Sequence, residues 1–206
     1  MEGESQPDRQ MRADRAEMAA FAPDHLARYR WAARRAEGPI LDAGCGSGYG
    51  TSILNAMFDM SYGLDVEQEA LLFGAKHFPG PKYGRADIQS RKVFKDAGEE
   101  FNSITCFEVL EHLPHPDRAL ANFYKILKPE GRLYCSVPNE DYYPFRAETF
   151  KGEKYPHLRH YKPGEFIDLL AGAGFMKIGI NCQKAKQEPE VIPGDNGRYL
   201  VCVAIK

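Results

Sequence analysis

The sequence predicts a doubly wound α/β domain, a mostly parallel sheet with helices on both faces. Three observations predict it. Short apolar runs alternate with stretches of helical periodicity, the pattern of repeated strand–helix units. The run Pro39-Ile40-Leu41-Asp42 opens into the glycine-rich turn Ala43-Gly44-Cys45-Gly46-Ser47-Gly48-Tyr49-Gly50, with a helix starting just after. A second run, Met60–Val66, carries an acid at its tip, Asp65, 21 residues after Gly44. In an open α/β sheet such a corner, over the carboxyl ends of the strands, is where a nucleotide-like ligand sits.

The chain has 206 residues and fits one domain, long enough to bury roughly 70 % of its unfolded surface. Its net charge of −2 makes no general electrostatic bid for nucleic acid or an anionic membrane. No apolar run approaches the roughly 18 residues of a membrane span, and the polar N-terminus lacks the apolar core of a secretory signal. The cysteines (Cys45, Cys106, Cys135, Cys182 and Cys202) are odd in number and form no C-x-x-C. Four fall on predicted strands, where a thiol packs as a small hydrophobe. This predicts a reducing compartment, the cytoplasm, rather than a disulfide framework.

In order along the chain, residues 1–10 are polar and expected to be mobile. Residues 11–37 form a helical cap, with Met18, Phe21, Leu26, Tyr29 and Ala33 near helical spacing and a break at Pro23-Asp24. Arg28, Arg30, Arg34 and Arg35 make its second half basic. Ile40 and Leu41 supply the first strand, and Gly44, Gly46 and Gly48 admit backbone angles and close approaches that side chains forbid. Ser47, Thr51 and Ser52 are candidate N-caps for a helix over about 51–58. Met60–Val66 is a second strand, and Asp65 either receives two ribose hydroxyls or caps a helix over 67–76. Lys82–Ile88 is a third strand ending at Asp87, and residues 89–100 are a polar connection. Phe101–Phe107 is the fourth strand. Asp117–Lys128 is an amphipathic helix with Leu120, Phe123, Ile126 and Leu127 inward, ended by Pro129 and Gly131. Arg132–Asn139 is the fifth strand. The segment 138–162 is irregular and dense in aromatics, which reads as a lid over a substrate pocket. Pro163 starts a helix through Gly172. Gly174–Asn181 and Tyr199–Ile205 form the sixth and seventh strands, joined as an antiparallel pair by a polar loop over 183–197. No internal repeat or linker divides the chain.

The glycines run G-x-G-x-G-x-G. Tyr49 stands where a dinucleotide fingerprint needs its third glycine, and no Gly-Lys-Ser/Thr of a phosphate loop follows. Leu41-Asp42-Ala43-Gly44-Cys45-Gly46-Ser47-Gly48, Asp65, Asp87-Ile88 and the segment Glu108–Pro116 after the fourth strand resemble the class I S-adenosylmethionine-dependent methyltransferases. The resemblance runs from about residue 25 to the end and includes the ubiquinone-pathway O-methyltransferases. It implies a Rossmann-like sheet of seven strands, one of them antiparallel, and one methyltransferase domain over 1–206. It implies S-adenosylmethionine as donor and S-adenosylhomocysteine as product. It places Asp42, Gly44, Cys45 and Gly46 around the donor, Asp65 and Val66 at its ribose, and Asp87 and Ile88 at its adenine. The backbone near Phe107 meets the methionine end, and Arg28 or Tyr29 borders the carboxylate.

Methyl transfer from a sulfonium is an in-line displacement that needs positioning more than covalent help. A hydroxyl acceptor must lose a proton, which calls for a base. Glu111, His112, His157 and His160 are the ionisable candidates beside the methyl. No residue is assigned as a metal ligand outright. Still, Glu108, Glu111 and His112 stand at i, i+3 and i+4, on one face if that turn is helical, and a lid histidine could complete a set. A similar Glu-x-x-Glu-His pattern in two subfamilies, small-RNA 2′-O-methyltransferases and ubiquinone-pathway O-methyltransferases, holds a divalent ion.

The expected acceptor is an oxygen on a small molecule, with nitrogen second. An RNA ribose 2′-O-methyltransferase ranks behind it. That reading needs a basic groove from Arg146, Lys151, Lys154, Arg159 and Lys162, which Glu148, Glu153 and Glu165 dilute. Nucleic acid is thus a secondary partner choice. A non-catalytic cofactor-binding module is a third reading, and Tyr49 argues against a nicotinamide oxidoreductase. The oligomeric state is not legible.

Overall fold

The computed structural model describes residues 23–93, 101–186 and 188–206. The expectations for residues 1–10, for the cap up to residue 22, and for residues 94–100 of the connection 89–100 lie outside the described residues. Among those described, the order is α1 (Pro23–Ala33), β1 (Ile40–Ala43), α2 (Tyr49–Asn55), β2 (Ser61–Asp65), α3 (Gln68–His77), β3 (Lys82–Arg85) and β4 (Phe101–Phe107). Then come α4 (Pro116–Ile126), β5 (Leu127–Pro138), α5 (Pro163–Gly172), β6 (Met176–Gln183), β7 (Ile192–Pro193) and β8 (Tyr199–Ile205). Single 3-10 turns cover Leu110–His112 and Ala147–Phe150.

All the strands join one sheet in the order β3-β2-β1-β4-β5-β8-β6-β7. The pairs from β3 to β5 are parallel, and β8 runs antiparallel between β5 and β6. The doubly wound class holds, and the count among the described residues is eight where seven was expected. The extra strand is the two-residue β7 inside the loop 183–197, paired with Asn181 and Cys182.

Consecutive residues of the central strands divide between the two faces. Leu41, Leu133, Cys135, Leu200 and Cys202 enter one core, under α4 and α5, with Leu120, Phe123 and Phe166. Ile40, Tyr134 and Val201 enter the other with Tyr29, Trp31 and Ala32 of α1 and Leu54 of α2. This two-residue alternation, buried on both sides, is why the central strands read as continuous apolar runs. All five cysteines are buried and unbridged, as the sequence predicted. No helix among the described residues is long and apolar enough to cross a membrane.

Of the element boundaries that differ from expectation, two have a clear local cause. Helix α4 ends at Ile126, and Lys128–Gly131 continue as an irregular part of β5, with Glu130 at φ 62 and the register to β4 jumping between Phe101 and Ser103. Helix α2 begins at Tyr49 behind Gly48, whose φ of 81 makes a glycine cap. None of Ser47, Thr51 or Ser52 caps it.

The turn after β1 is shaped by contact. Gly44 sits at φ 80, and a Cβ there would lie 2.4 Å from Val109 Cγ2. Gly50 lets α1 press its Tyr29 ring onto α2, since a Cβ would fall 2.1 Å from Tyr29 Cζ. Gly50→Ala must push that ring away, so it should lower unfolding free energy by about 1–3 kcal/mol, as overpacking does. Urea denaturation of the two proteins measures this; an unchanged midpoint would mean that Tyr29 is not tightly held.

Candidate functional site

The floor of the site is a buried carboxylate. Asp42, on β1, is fully buried and accepts three hydroxyl bonds. Tyr29 of α1 donates at 3.0 Å to Oδ1, Thr51 of α2 at 2.6 Å to Oδ2, and Thr105 of β4 at 2.8 Å to Oδ1. Burial pushes the Asp42 carboxyl up to about 6, against the pull of those three donors. Asp42 therefore supports the glycine turn from beneath, and its oxygens are spent inside the fold. Tyr29 is committed to Asp42 in the same way.

Above this floor lies a cavity of about 440 Å³ at the carboxyl ends of β1, β2, β3 and β4. Gly44, Asp65, Val66, Asp87, Ile88 and His112 line it, together with Glu108, Val109, Leu113, Pro114 and Tyr155. Asp65 Oδ2 accepts the Gly46 amide at 2.8 Å, and Oδ1 accepts the Glu67 amide at 2.9 Å. The acid thus ties the glycine turn to the start of α3, whose N-cap position is Glu67. A carboxylate has about four lone-pair sites, so two amide bonds leave room for two hydroxyls. Asp87 Oδ1 is oriented by the Gln89 amide at 2.9 Å.

Of the other predicted residues, Gly46 meets the cavity through Asp65, and Cys45 packs at 3 % exposure with its thiol pushed well up by burial. Phe107 packs edge-on to Tyr29, 5.0 Å between ring centroids, within the second core. Arg28 is almost wholly buried. It donates to Gln183 Oε1 at 2.5 Å and Asp24 Oδ2 at 3.1 Å, and stacks 4.3 Å above the Tyr199 ring. Its Nη1 has no hydrogen-bond partner among the described residues and lies 3.4 Å from Glu108 Oε1. Arg28 therefore borders the cavity through Glu108.

A second group adjoins the cavity. Ligand atoms of Glu111, His112 and His157 all lie within 4.8 Å of one another. Glu111 is fully buried, and neither carboxyl oxygen has a hydrogen-bond partner among the described residues. Burial, then the charge of Glu108, pushes its carboxyl well above the usual range. Carbonyl partners fix the ring hydrogens. His112 Nδ1 donates to the Pro156 carbonyl at 3.2 Å, and its Nε2 lies 3.9 Å from Glu111 Oε1. His160 Nδ1 donates to the Tyr143 carbonyl at 2.5 Å, so its Nε2 accepts from His157 Nδ1 at 2.8 Å. His157 Nε2 is then an acceptor too. Burial holds His157 near 3, so it is neutral at physiological pH. The cluster can take up a proton or a cation.

Glu108 does not share this face. The i, i+3, i+4 argument presumed a helical turn, but Glu108 sits at φ 54, and the 3-10 turn begins only at Leu110. Its Oε1 instead accepts from Ser136 Oγ at 2.7 Å. Sequence reasoning missed Tyr155, Pro114 and Thr105. Only Thr105 carried a signal, a hydroxyl in the middle of an apolar strand.

The Asp42 carboxyl is raised above its ordinary 3.8. The folded state therefore binds the proton more tightly, and stability from this group is full below about 4 and lost as pH rises through about 6. The unfolding free energy of wild type relative to Asp42→Asn should fall across that window; a pH-independent difference would overturn the assignment.

A family model described as a methyltransferase domain matches residues 11–178. The ubiquinone biosynthesis O-methyltransferase of Coxiella burnetii is 27% identical over 179 residues, covering 79% of this chain and 75% of that protein. That of Vibrio atlanticus is 25% identical over 154 residues, covering 68% and 64%. Among solved structures, a SAM-dependent methyltransferase of Thermotoga maritima matches with a TM-score of 0.74 at 19% identity, covering 97% of this chain and 94% of that one. The N-methyltransferase NodS of Bradyrhizobium japonicum, solved with S-adenosyl-L-homocysteine, gives 0.67 at 18%, covering 97% and 96%. At these identities the solved structures share the fold. The family match spans the glycine turn, the cavity and the histidine cluster, and the chain belongs to the methyltransferase-domain family, as an enzyme that uses S-adenosylmethionine.

Proposed function

We propose that the enzyme transfers the methyl group to an oxygen of a small-molecule acceptor, with nitrogen as the second choice. One observation carries this reading: a cluster of ionisable groups, Glu111, His112 and His157, adjoins the cavity that bears the donor motifs, with His112 in its lining. The names of the curated relatives, ubiquinone biosynthesis O-methyltransferases, agree with an oxygen acceptor.

In this reading Asp65 receives the ribose hydroxyls and Asp87 the adenine amino group, while Val66 and Ile88 cover the ring. Gly44 and Gly46 bring the backbone close to the donor. Cys45 and Asp42 shape the turn from below, and the strand end at Phe107 meets the methionine part. Arg28 acts from behind Glu108. The acceptor hydroxyl approaches from the side of His112 and His157, and the proton it loses passes to His112 Nε2. The Pro156 carbonyl takes the Nδ1 side of that ring. Because the displacement is in-line, most of the acceleration comes from alignment and exclusion of water.

The cluster also fits a divalent cation. Two buried carboxyl oxygens of Glu111 lack hydrogen-bond partners among the described residues, and a ligand atom of His112 and one of His157 lie within 4.8 Å of Glu111 and of each other. Glu111, His112 and His157 would hold it, and two nitrogens with one carboxylate suit Mn²⁺ or Zn²⁺ better than Mg²⁺. Such an ion would lower the pKa of an acceptor hydroxyl.

Calorimetric titration with S-adenosylhomocysteine should show micromolar binding, weakened at least about tenfold in Asp65→Ala, the scale of one or two lost hydrogen bonds to a charged group. Undiminished binding in that variant would remove Asp65 from the site. Mn²⁺ titration followed by electron paramagnetic resonance should show one site in wild type and none in His157→Ala. No uptake by wild type, with activity untouched by exhaustive chelation, would remove the cation.

A further inference from the structure

The segment 138–162 was expected to cover an acceptor pocket, yet it sends one aromatic side chain into the cavity of the donor motifs. Tyr155 lines that cavity together with Asp65, Val66, Asp87 and Ile88. Its hydroxyl donates to Glu67 Oε2 at 3.0 Å, and the Lys154 ammonium bonds the same oxygen. Glu67 is two residues beyond Asp65, and its amide holds Asp65 Oδ1. Two donors from the segment thus grip the α3 side of the cavity mouth beside the proposed ribose carboxylate.

The other end of the strap is anchored on the β4 side. The Leu158 amide donates to the Glu111 carbonyl at 2.8 Å, His112 Nδ1 to the Pro156 carbonyl, and Arg159 Nη2 to the Pro114 carbonyl at 3.4 Å. Between the anchors the chain crosses the cavity at Tyr155. The two ends differ in kind. Those on the β4 side are mostly backbone groups against a buried turn. The Glu67 end is a solvent-facing ion pair in which the Lys154 side chain is 70% exposed. Gly152, at φ 90 with open space around it, precedes the gripping residues by two positions and admits a change of backbone angle. Donation by Lys154, then by Tyr155, holds the Glu67 carboxyl below its usual range, so it is anionic at neutral pH.

We propose that Lys154 and Tyr155 form a clasp that closes on Glu67 over the adenosyl end of the donor and must open for the product to leave. This rests on the donor reading of the cavity given above. The clasp hinges on its backbone-anchored β4 end and opens at the Glu67 end. It acts on residence time, because a bound nucleoside under the Tyr155 ring cannot leave until both bonds to Glu67 break. Glu67 makes no side-chain cap on α3, so the carboxylate is available for this role.

The test is the dissociation of S-adenosylhomocysteine, followed by stopped-flow displacement from the full-length chain. Lys154→Ala/Tyr155→Phe and, separately, Glu67→Gln should each raise the dissociation rate constant about tenfold, the scale of two exposed polar contacts, with the association rate within about threefold. Raising salt should speed dissociation from wild type and much less from either variant, since the ion pair is exposed. Lys154 and Tyr155 are exposed and the Glu67 side chain is part-exposed and makes no helix cap, so both variants should keep the wild-type circular dichroism and melting midpoint. Equal dissociation rates in wild type and both variants overturn the clasp and leave the donor site standing. Absence of S-adenosylhomocysteine binding by wild type overturns both.

Discussion

The acceptance of three hydroxyls by one buried carboxylate holds the site in shape. Asp42 gathers Tyr29 from α1, Thr51 from α2 and Thr105 from β4 onto the end of β1. Four elements meet there, and the glycine turn springs from the same strand end. A buried carboxylate without partners would be strongly unfavourable, and one with three donors organises its surroundings. Gly50 belongs to the same arrangement, because only hydrogen at its Cα lets the Tyr29 ring lie close enough to reach Asp42.

From this floor the rest of the cavity follows by pairing. Parallel registry sets Asp42 beside Gly63 and Thr105, so the tips of β2 and β4 come level with the glycine turn. Asp65 then links the Gly46 amide to the N-cap residue of α3, Glu67. The histidine cluster is built differently. Backbone carbonyls of the lid, those of Pro156 and Tyr143, dictate which ring nitrogens are bare. The histidine rings are therefore oriented by the segment that covers them, and the covering segment is tied to the loop before β8 through Asn139, whose amide group donates to the Asp195 and Gly197 carbonyls.

The legible features were those with a local cause. Gly44, Asp65 and Asp87 stand at strand tips marked by glycine or acid punctuation, and the structure brings all three to one cavity. The strand Phe101–Phe107 and the helix Pro163–Gly172 have the predicted bounds because apolar runs and a leading proline define them. What failed depended on conformation that no side chain announces. The face shared by Glu108, Glu111 and His112 required a helix, and the chain is left-handed at Glu108. Thr51 carried the mark of a cap but serves Asp42, because a carboxylate from another element competes for its hydroxyl. Tyr155 was one aromatic among many, and only the anchors on either side of it fix where it points. Two-residue β7 is too short to show any period.

The position of β8 bears on how the sheet is assembled. It lies between β5 and β6, yet it is later in the chain than both. During synthesis β6 emerges before β8 and has no place on the sheet, because among the described residues its partners are β8 and β7. The half of the sheet carrying the donor motifs can form as the ribosome delivers it. The other half waits for Tyr199–Ile205 to slide in beside β5, and only then do β6 and β7 gain an edge to join. The pocket's walls can therefore be in place while its far flank is still unbuilt.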